Sequence, residues 1–240
     1  GAVIENAHNA ITLWKPQDWS SMGGIVQAED AFFYNNRRSV EFMSYQNKHP
    51  YSGSPMGNIS YFKNCHFEIN DDYFVPSTFH AHISMWEVDG INIRSCNFFN
   101  YMTIHPNTGP GIKSINANYN ILPTCSMPVT PCPDENIIPN TFQGFEYGIE
   151  ASCTGGSSKT IYVKNAEFTG NSYGIKLSAV NNATIIHSKF NVGTNLEGEE
   201  ECNFLYGVGI ELINCNGYAI EENEFEGGHG APGTDYIGIR

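Results

Sequence analysis

The sequence predicts an all-β chain wound into a right-handed, single-stranded parallel β-helix, a solenoid of about seven to eight rungs with inserted loops. Three observations carry this expectation. A short phrase ending in phenylalanine recurs along the chain. A second phrase built around Gly-Ile accompanies it. The composition is poor in helix formers and rich in turn formers, β-branched residues and aromatics, which reach 13%.

The first phrase runs through alternating apolar positions, a small or polar pair and one further residue before its phenylalanine. It reads Ile25-Val-Gln-Ala-Glu-Asp-Ala-Phe32, Ser60-Tyr-Phe-Lys-Asn-Cys-His-Phe67 and Ile91-Asn-Ile-Arg-Ser-Cys-Asn-Phe98. It returns as Ile161-Tyr-Val-Lys-Asn-Ala-Glu-Phe168, Ala183-Thr-Ile-Ile-His-Ser-Lys-Phe190 and Tyr218-Ala-Ile-Glu-Glu-Asn-Glu-Phe225, with a weaker copy ending at Phe142. The closing phenylalanines are 35, 31, 44, 26, 22 and 35 residues apart. The shortest interval suits one turn of a three-strand coil, and the longer ones add an insertion that leaves the core register intact. Stacked one rung above another at ~4.8 Å, these residues form a core ladder of Phe32, Phe67, Phe98, Phe142, Phe168, Phe190 and Phe225. Cys65, Cys96 and Ala166 share one position of the phrase, which asks for a small side chain.

The second phrase appears as Ser39-Val-Glu-Phe42, His82-Ile-Ser-Met85, Gly111-Ile-Lys-Ser114, Gly148-Ile-Glu-Ala151, Gly174-Ile-Lys-Leu177 and Gly209-Ile-Glu-Leu212, breaking off at Gly238-Ile239. Asparagines punctuate the two: Asn35-Asn36, Asn171, Asn181-Asn182, Asn214 and Asn216. Asparagine tolerates left-handed backbone and bonds its own turn, so it belongs at tight corners between sheets. Segments rich in Pro, Gly, Ser and charge break the rhythm at Trp14–Gly23, Gln46–Gly57, Tyr101–Gly111, Tyr119–Asn140 and Val192–Leu205, and read as loops leaving the coil. Within them Cys125 and Cys132 form the best disulfide candidate, given an oxidising compartment; seven cysteines leave at least one unpaired.

The chain reads as a single β-helix domain over residues 1–240. It begins and ends inside its own repeat, which predicts a piece of a longer protein, so missing targeting segments are no argument for the cytoplasm. No stretch approaches the ~18–20 apolar residues of a membrane span, so membrane insertion is not expected. A net charge of −13 repels phosphate backbones and disfavours nucleic acid as a partner.

Several segments resemble a family of large, secreted or surface-attached, pectin-lyase-like β-helix proteins of Bacteroidetes-type bacteria. They are Arg37-Arg-Ser-Val-Glu-Phe-Met-Ser-Tyr45, Asn58-Ile-Ser-Tyr-Phe-Lys-Asn-Cys-His-Phe67, Phe79-His-Ala-His-Ile-Ser-Met-Trp86, Gly111-Ile-Lys-Ser-Ile-Asn-Ala117, Tyr173-Gly-Ile-Lys-Leu-Ser-Ala179 and Gly217-Tyr-Ala-Ile-Glu-Glu-Asn223. The likeness covers roughly residues 24–240. It implies export by type IX secretion, secretion machinery as a partner, and an extracellular or outer-surface location; the C-terminal sorting domain common in that family is not in this chain.

Candidate chemistry is sparse. Pectin-type hydrolases on such coils carry paired aspartates, a Gly-His-Gly and an Arg-Ile-Lys. Here Asn70-Asp71-Asp72 and Gly228-His229-Gly230 are the nearest equivalents, but Asp72 and His229 are 157 residues apart and no Arg-Ile-Lys follows. Acid and base must flank a glycosidic bond ~5–10 Å apart, whereas Asp71 and Asp72 are neighbours with the character of a turn. His80-Ala-His82 has the i, i+2 spacing by which two imidazoles on a strand share a metal, with His66 and Glu87 as further donors; the competing reading is a polar stack beside Trp86. The run Glu197-Gly-Glu-Glu-Glu201 offers calcium ligands or simply a solvated loop. A lyase needs a cation to neutralise a uronate, and only 12 basic residues make an anionic polysaccharide a poor substrate. Trp14, Trp19, Tyr45 and Tyr51 either stack on sugar rings or pin loops to the coil.

The sequence therefore predicts a non-catalytic, extracellular segment that presents loops for adhesion or for glycan or surface contact, without a required cofactor. The alternative is a carbohydrate-active enzyme, lyase or hydrolase, on the same coil. An enzyme would gather two or three carboxylates or histidines in a groove along one sheet.

Overall fold

The computed structural model describes residues 1–13, 24–44, 47–48, 51–52, 54–56, 59–102, 109–154, 158–193, 206–227 and 235–240. These residues form an all-β solenoid of three long parallel sheets holding eight, eight and seven strands. Successive strands pass from sheet to sheet, and each pairs with its counterpart about one turn later. Val3–Glu5, Ile11–Leu13 and Gln27–Glu29 open the series, and Phe32–Tyr34 then returns to pair with Val3–Glu5. Among the described residues the only helical element is a single 3-10 turn at Asp134–Asn136, and no described helix is long and apolar enough to cross a membrane.

The first sheet carries the phenylalanine phrase. Phe67, Phe98, Phe142, Phe168 and Phe190 stack face to face, with ring centroids 4.7–4.9 Å apart and interplanar angles of 1–8°. Phe225 continues the stack at 5.0 Å, although 37% of it is exposed at the end of the column. At the other end the expectation needs correction. Phe32 is 39% exposed, and Phe33, 1% exposed, lies 4.6 Å from Phe67 in the ladder. The first copy of the phrase is displaced by one residue. Gln27, Ala28 and Glu29 pair with Tyr61, Phe62 and Lys63, which aligns Ala31 with Cys65 and Phe33 with Phe67. A one-residue slip in a strand moves a side chain to the opposite face, so Phe32 looks outward.

The second sheet holds the Gly-Ile phrase in register. Ile11, Val40, Ile83, Ile112, Ile149, Ile175, Ile210 and Ile239 form one column. The glycine before the isoleucine is required by the ladder: a Cβ on Gly174 would stand 2.6 Å from Cδ1 of Phe190. The third sheet adds Ala28, Phe62, Ile93, Ile121, Val163, Ile185 and Ile220, completing a continuous apolar interior. Tyr119–Leu122, expected to open a loop, belongs to this sheet as part of the strand Asn118–Leu122; Tyr119 is fully buried and its hydroxyl accepts from Ser114 Oγ at 3.2 Å.

Between the third and first sheets the chain turns on one left-handed residue: Asp30, Asn64, Ser95, Asn165, His187 or Glu222, with φ of 49–54°. Asn35, Asn182 and Asn214 are left-handed corner residues too. Other asparagines do different work. Asn171 is fully buried, accepts from Phe145 N at 2.9 Å and donates to Phe142 O at 2.8 Å. Asn36 makes the same double bond to Ala7 N and Ile4 O, and Asn140 to Cys96 N and Leu122 O. Each satisfies backbone groups that the coil leaves unpaired where a strand ends.

Candidate functional site

The outer face of the phenylalanine sheet is the most distinctive surface of the described coil. Alternation turns two columns outward. One is Val3, Phe32, His66, Asn97, Thr141, Glu167, Lys189 and Glu224. The other is Glu5, Tyr34, Glu68, Phe99, Gln143, Thr169, Asn191 and Glu226. Their chemistry changes along the coil from aromatic, through uncharged hydrogen-bonding groups, to charged.

At the aromatic end Phe32 stacks on Tyr34 at 6.1 Å and 12°, and His66 lies 5.9 Å from Phe32, 5.5 Å from Tyr34 and 5.3 Å from Phe99. Phe99 stacks on Tyr101 at 5.4 Å, and Tyr101 is 42% exposed. Five rings from three successive turns thus form one continuous row. A polar border holds it. His66 Nε2 lies 2.8 Å from Glu68 Oε2, Asn70 Nδ2 donates to Glu68 Oε1 at 2.9 Å, and Asn35 Nδ2 donates to Asn70 Oδ1 at 2.9 Å. Apolar ring faces bordered by planar hydrogen-bonding groups suit a ligand with one apolar and one polar face, as sugar rings have. Burial, with the Glu68 carboxylate nearby, raises the Tyr101 hydroxyl pKa, keeping it a neutral donor at physiological pH.

At the charged end a cleft of about 330 Å³ lies between the sheet and the excursion that follows Leu122. Asp134, Ile137 and Pro139 wall one side; Asn165, Glu167, His187, Lys189, Glu222 and Glu224 wall the other. His187 Nδ1 sits 3.0 Å from Glu222 Oε2, and Lys189 Nζ sits 3.5 Å from Glu224 Oε2. The excursion is stapled by a disulfide between Cys125 and Cys132 and paired to itself through Cys125↔Ile137 and Thr124↔Ile138.

The Gly-Ile sheet presents a different outer column. Glu41, Ser84, Lys113, Glu150, Lys176 and Glu211 alternate in sign apart from Ser84. Lys113 pairs with Glu150 at 2.9 Å, Lys176 with Glu211 at 3.7 Å, and Arg240 also binds Glu211. Lys176 lies 4.8 Å over the Tyr147 ring, which stacks on Tyr173. These charges neutralise one another along the column.

The residues singled out in the sequence lie apart. Asp71 and Asp72 occupy an exposed turn, where the Asp72 N–H donates to Asn70 Oδ1 at 3.0 Å. His229, the Glu197–Glu201 run, Trp14, Trp19 and Tyr45 fall outside the described residues, and Tyr51 is 94% exposed. His82 is fully buried. Its Nδ1 lies 3.3 Å from Ser39 Oγ, and Phe67, Phe79, Phe98 and Phe145 surround the ring at 4.9–6.3 Å. Burial holds its pKa down to about 3, the neighbouring Phe99 backbone pulling the other way, so the ring is neutral. Burial, aided by Arg38, Lys113 and Arg37, likewise lowers His80 to about 4. Among the described residues no three of His, Cys, Asp and Glu are grouped to hold a metal ion. Cys65, Cys96 and Cys153 are buried, and Cys65 and Cys96 fill the small position facing the ladder.

The aromatic row is absent from the sequence-level candidates. Its members are about thirty residues apart and share a face only through the register of the coil. No protein-family model and no curated protein sequence matches the chain.

Proposed function

We propose that this chain is a non-catalytic segment of a secreted or cell-surface protein, and that it contacts glycan through the outer face of its phenylalanine sheet. The observation that carries this reading is the row Phe32, Tyr34, His66, Phe99 and Tyr101, ring beside ring on a rigid sheet with Phe32 and Tyr101 well exposed. Large aromatic faces held in place by a packed scaffold lose little entropy on binding, which favours them as contact surfaces. We take the coil to be a right-handed, single-stranded, pectin-lyase-like β-helix, in keeping with the strong right-handed preference of crossovers between parallel strands. The Cys125–Cys132 disulfide supports an extracellular location, since such bonds persist in oxidising compartments. The resemblance to type IX secretion substrates supports secretion machinery as the export partner, and the charge of −13 supports neither nucleic acid nor an anionic surface as ligand.

The test is binding of the chain to a panel of immobilised neutral oligosaccharides, repeated with Tyr101→Ala and Phe99→Ala variants whose circular dichroism matches the parent. Binding that falls about tenfold or more in either variant supports the proposal, because one ring-stacking contact carries up to about 1.5 kcal/mol. No binding across the panel, or binding indifferent to both substitutions, overturns it.

A second reading, a carbohydrate-active enzyme, draws on the cleft that gathers Asp134, Glu167, Glu222, Glu224 and His187 along the same sheet. Against it, Glu222 and Glu224 are already engaged by His187 and Lys189. Release of reducing ends from any glycan of the panel, abolished by Glu167→Gln or Glu224→Gln, would establish the enzyme.

A further inference from the structure

The winding of the coil makes neighbours of Cys65 and Cys96. Pairing of His66 with Asn97 and of Phe67 with Phe98 sets the two cysteines at equivalent positions one rung apart, and the Asn97 N–H donates to the Cys65 carbonyl at 2.9 Å. In-register parallel strands lie ~4.8 Å apart, inside the roughly 4.4–6.8 Å that the Cα atoms of a disulfide span. Each cysteine follows a left-handed corner residue, Asn64 with φ of 52° and Ser95 with φ of 51°, so the two backbones aim their side chains alike. Cys65 Sγ donates to Lys63 O at 3.5 Å and Cys96 Sγ to Arg94 O at 3.4 Å, the same contact on each rung. The two sulfur atoms are within hydrogen-bonding reach of each other, and both residues are wholly buried. The need for a small side chain does not by itself call for cysteine. Ala31 and Ala166 meet it with alanine, while Asn140 and Ser188 use the position to accept from the Cys96 and Ala166 N–H groups. Cysteine holds it on two successive rungs and on no other described one. Cys153 and Cys215, by contrast, stand two rungs apart, about 10 Å and beyond the reach of a disulfide.

We infer that Cys65 and Cys96 form a second disulfide of this chain, joining two successive rungs from inside the coil, beneath the strands that carry His66 and Phe99. The inference rests on the register of the sheet and is independent of any ligand of the outer face. A disulfide is the product that suits the place. It is neutral and apolar, whereas a soft univalent cation held by both sulfurs would need two thiolates and leave a net negative charge in the core. The oxidant is an exchangeable disulfide, of the class that also closes Cys125–Cys132. Cys65 loses its proton and its thiolate attacks one sulfur of the donor, forming a mixed disulfide and releasing one donor thiolate. Cys96 then loses its proton and attacks the Cys65 sulfur, which releases the second donor thiolate. Two protein thiols are oxidised, one donor disulfide is reduced, and the two protons end on the two donor thiols. The hydrogen bond from Cys96 lowers the Cys65 pKa while burial raises that of Cys96, which gives Cys65 the first attack. Both sulfurs are sealed once the core has closed, so exchange belongs to the stage at which these two rungs dock.

The experiment reduces and unfolds the 240-residue chain in urea, refolds it in a mixture of reduced and oxidised glutathione, quenches by alkylation and digests with trypsin without reductant. Cleavage after Lys63, Arg94 and Lys113 places Cys65 and Cys96 on separate peptides, 64–94 and 95–113, each with a single cysteine. The expected result is these two peptides joined, at the sum of their masses less two hydrogens. Recovery of the two apart and alkylated, or joined to any other cysteine peptide, overturns the inference. A second measurement compares the parent with Cys65→Ala, an alanine that the same position accepts at Ala31 and Ala166, by urea unfolding with and without dithiothreitol. In oxidised samples the unfolding equilibrium constant of the variant should exceed that of the parent by about a hundredfold or more, the effect of opening a cross-linked loop of about 30 residues. In reductant, where Cys125 and Cys132 are thiols in both proteins, the ratio should shrink by at least about tenfold. A ratio that is the same in both conditions overturns the inference as well, since it reports only the packing of a small side chain.

Discussion

Acid destabilises this coil through His82, and the size of the effect follows from its surroundings. The imidazole is wholly buried among four phenylalanine rings, and Ser39 Oγ lies 3.3 Å from its Nδ1. Folded, its pKa is held down to about 3; in the unfolded chain it returns to 6.5. The folded value is the lower one, so the contribution is fully present above pH 6.5 and is lost as the pH falls towards the folded value, because the unfolded chain binds a proton that the fold refuses. Between pH 7.5 and 4.5 the loss amounts to about 3 kcal/mol, a large fraction of the roughly 5–15 kcal/mol by which a domain is stable. His80, lowered to about 4 by burial and by Arg38, Lys113 and Arg37, acts in the same direction, but it is only partly enclosed and contributes less. The substitution His82→Gln keeps a polar group opposite Ser39 and removes the titration. Urea unfolding midpoints of both proteins, measured in steps from pH 7.5 down to about 4.5, separate this effect from general carboxylate protonation, which both share. The parent should lose about 3 kcal/mol more than the variant across that range. Parallel pH profiles would show that the imidazole is not sealed in the core, and the reasoning would fail.

Other consequences concern stability. Asn171→Ala leaves the Phe145 N–H and the Phe142 carbonyl without their buried partner, and should cost roughly 2–4 kcal/mol in denaturant unfolding. Lys176→Met removes one of two cations from Glu211, which is 6% exposed, and should cost about 1–2 kcal/mol, with a loss that shrinks in molar salt. Phe98→Ala opens a cavity between Phe67 and Phe142, each 4.7 Å away, and should lower stability by about 3–5 kcal/mol.

Much of this architecture is legible in the sequence because a solenoid repeats its constraints. Each turn needs an aromatic at one height, a small residue two positions before it and an apolar position in the next sheet. Phe67, Cys65 and Ile83 announce these needs as plainly as Phe168, Ala166 and Ile175 do. The first turn is harder, since Phe32, Phe33 and Tyr34 are three aromatics in succession and any of them satisfies a search for phenylalanine. The register is decided elsewhere, by Asp30 in the left-handed corner and Ala31 in the small position, which match Asn64 and Cys65. His82 illustrates a different limit. Its i, i+2 partner points to metal chemistry, but it stands next to the ladder in the column that Ser39 shares and that glycine holds from Gly111 onward, and burial among rings decides its state. The outward aromatic row was hidden for a third reason. Its members look like ordinary strand residues until pairing sets His66 beside Phe32 and Asn97, and no local pattern contains that information.

The most direct test compares two adjacent residues. Both the ladder and the outer face depend on Phe33 pointing inward and Phe32 outward. The unfolding free energies of Phe33→Ala and Phe32→Ala, measured side by side, should differ sharply: about 3–5 kcal/mol lost for the first and under about 1 kcal/mol for the second. Equal losses, or a larger loss at Phe32, would place the strand one residue out of register and contradict both the stacked core and the surface built upon it.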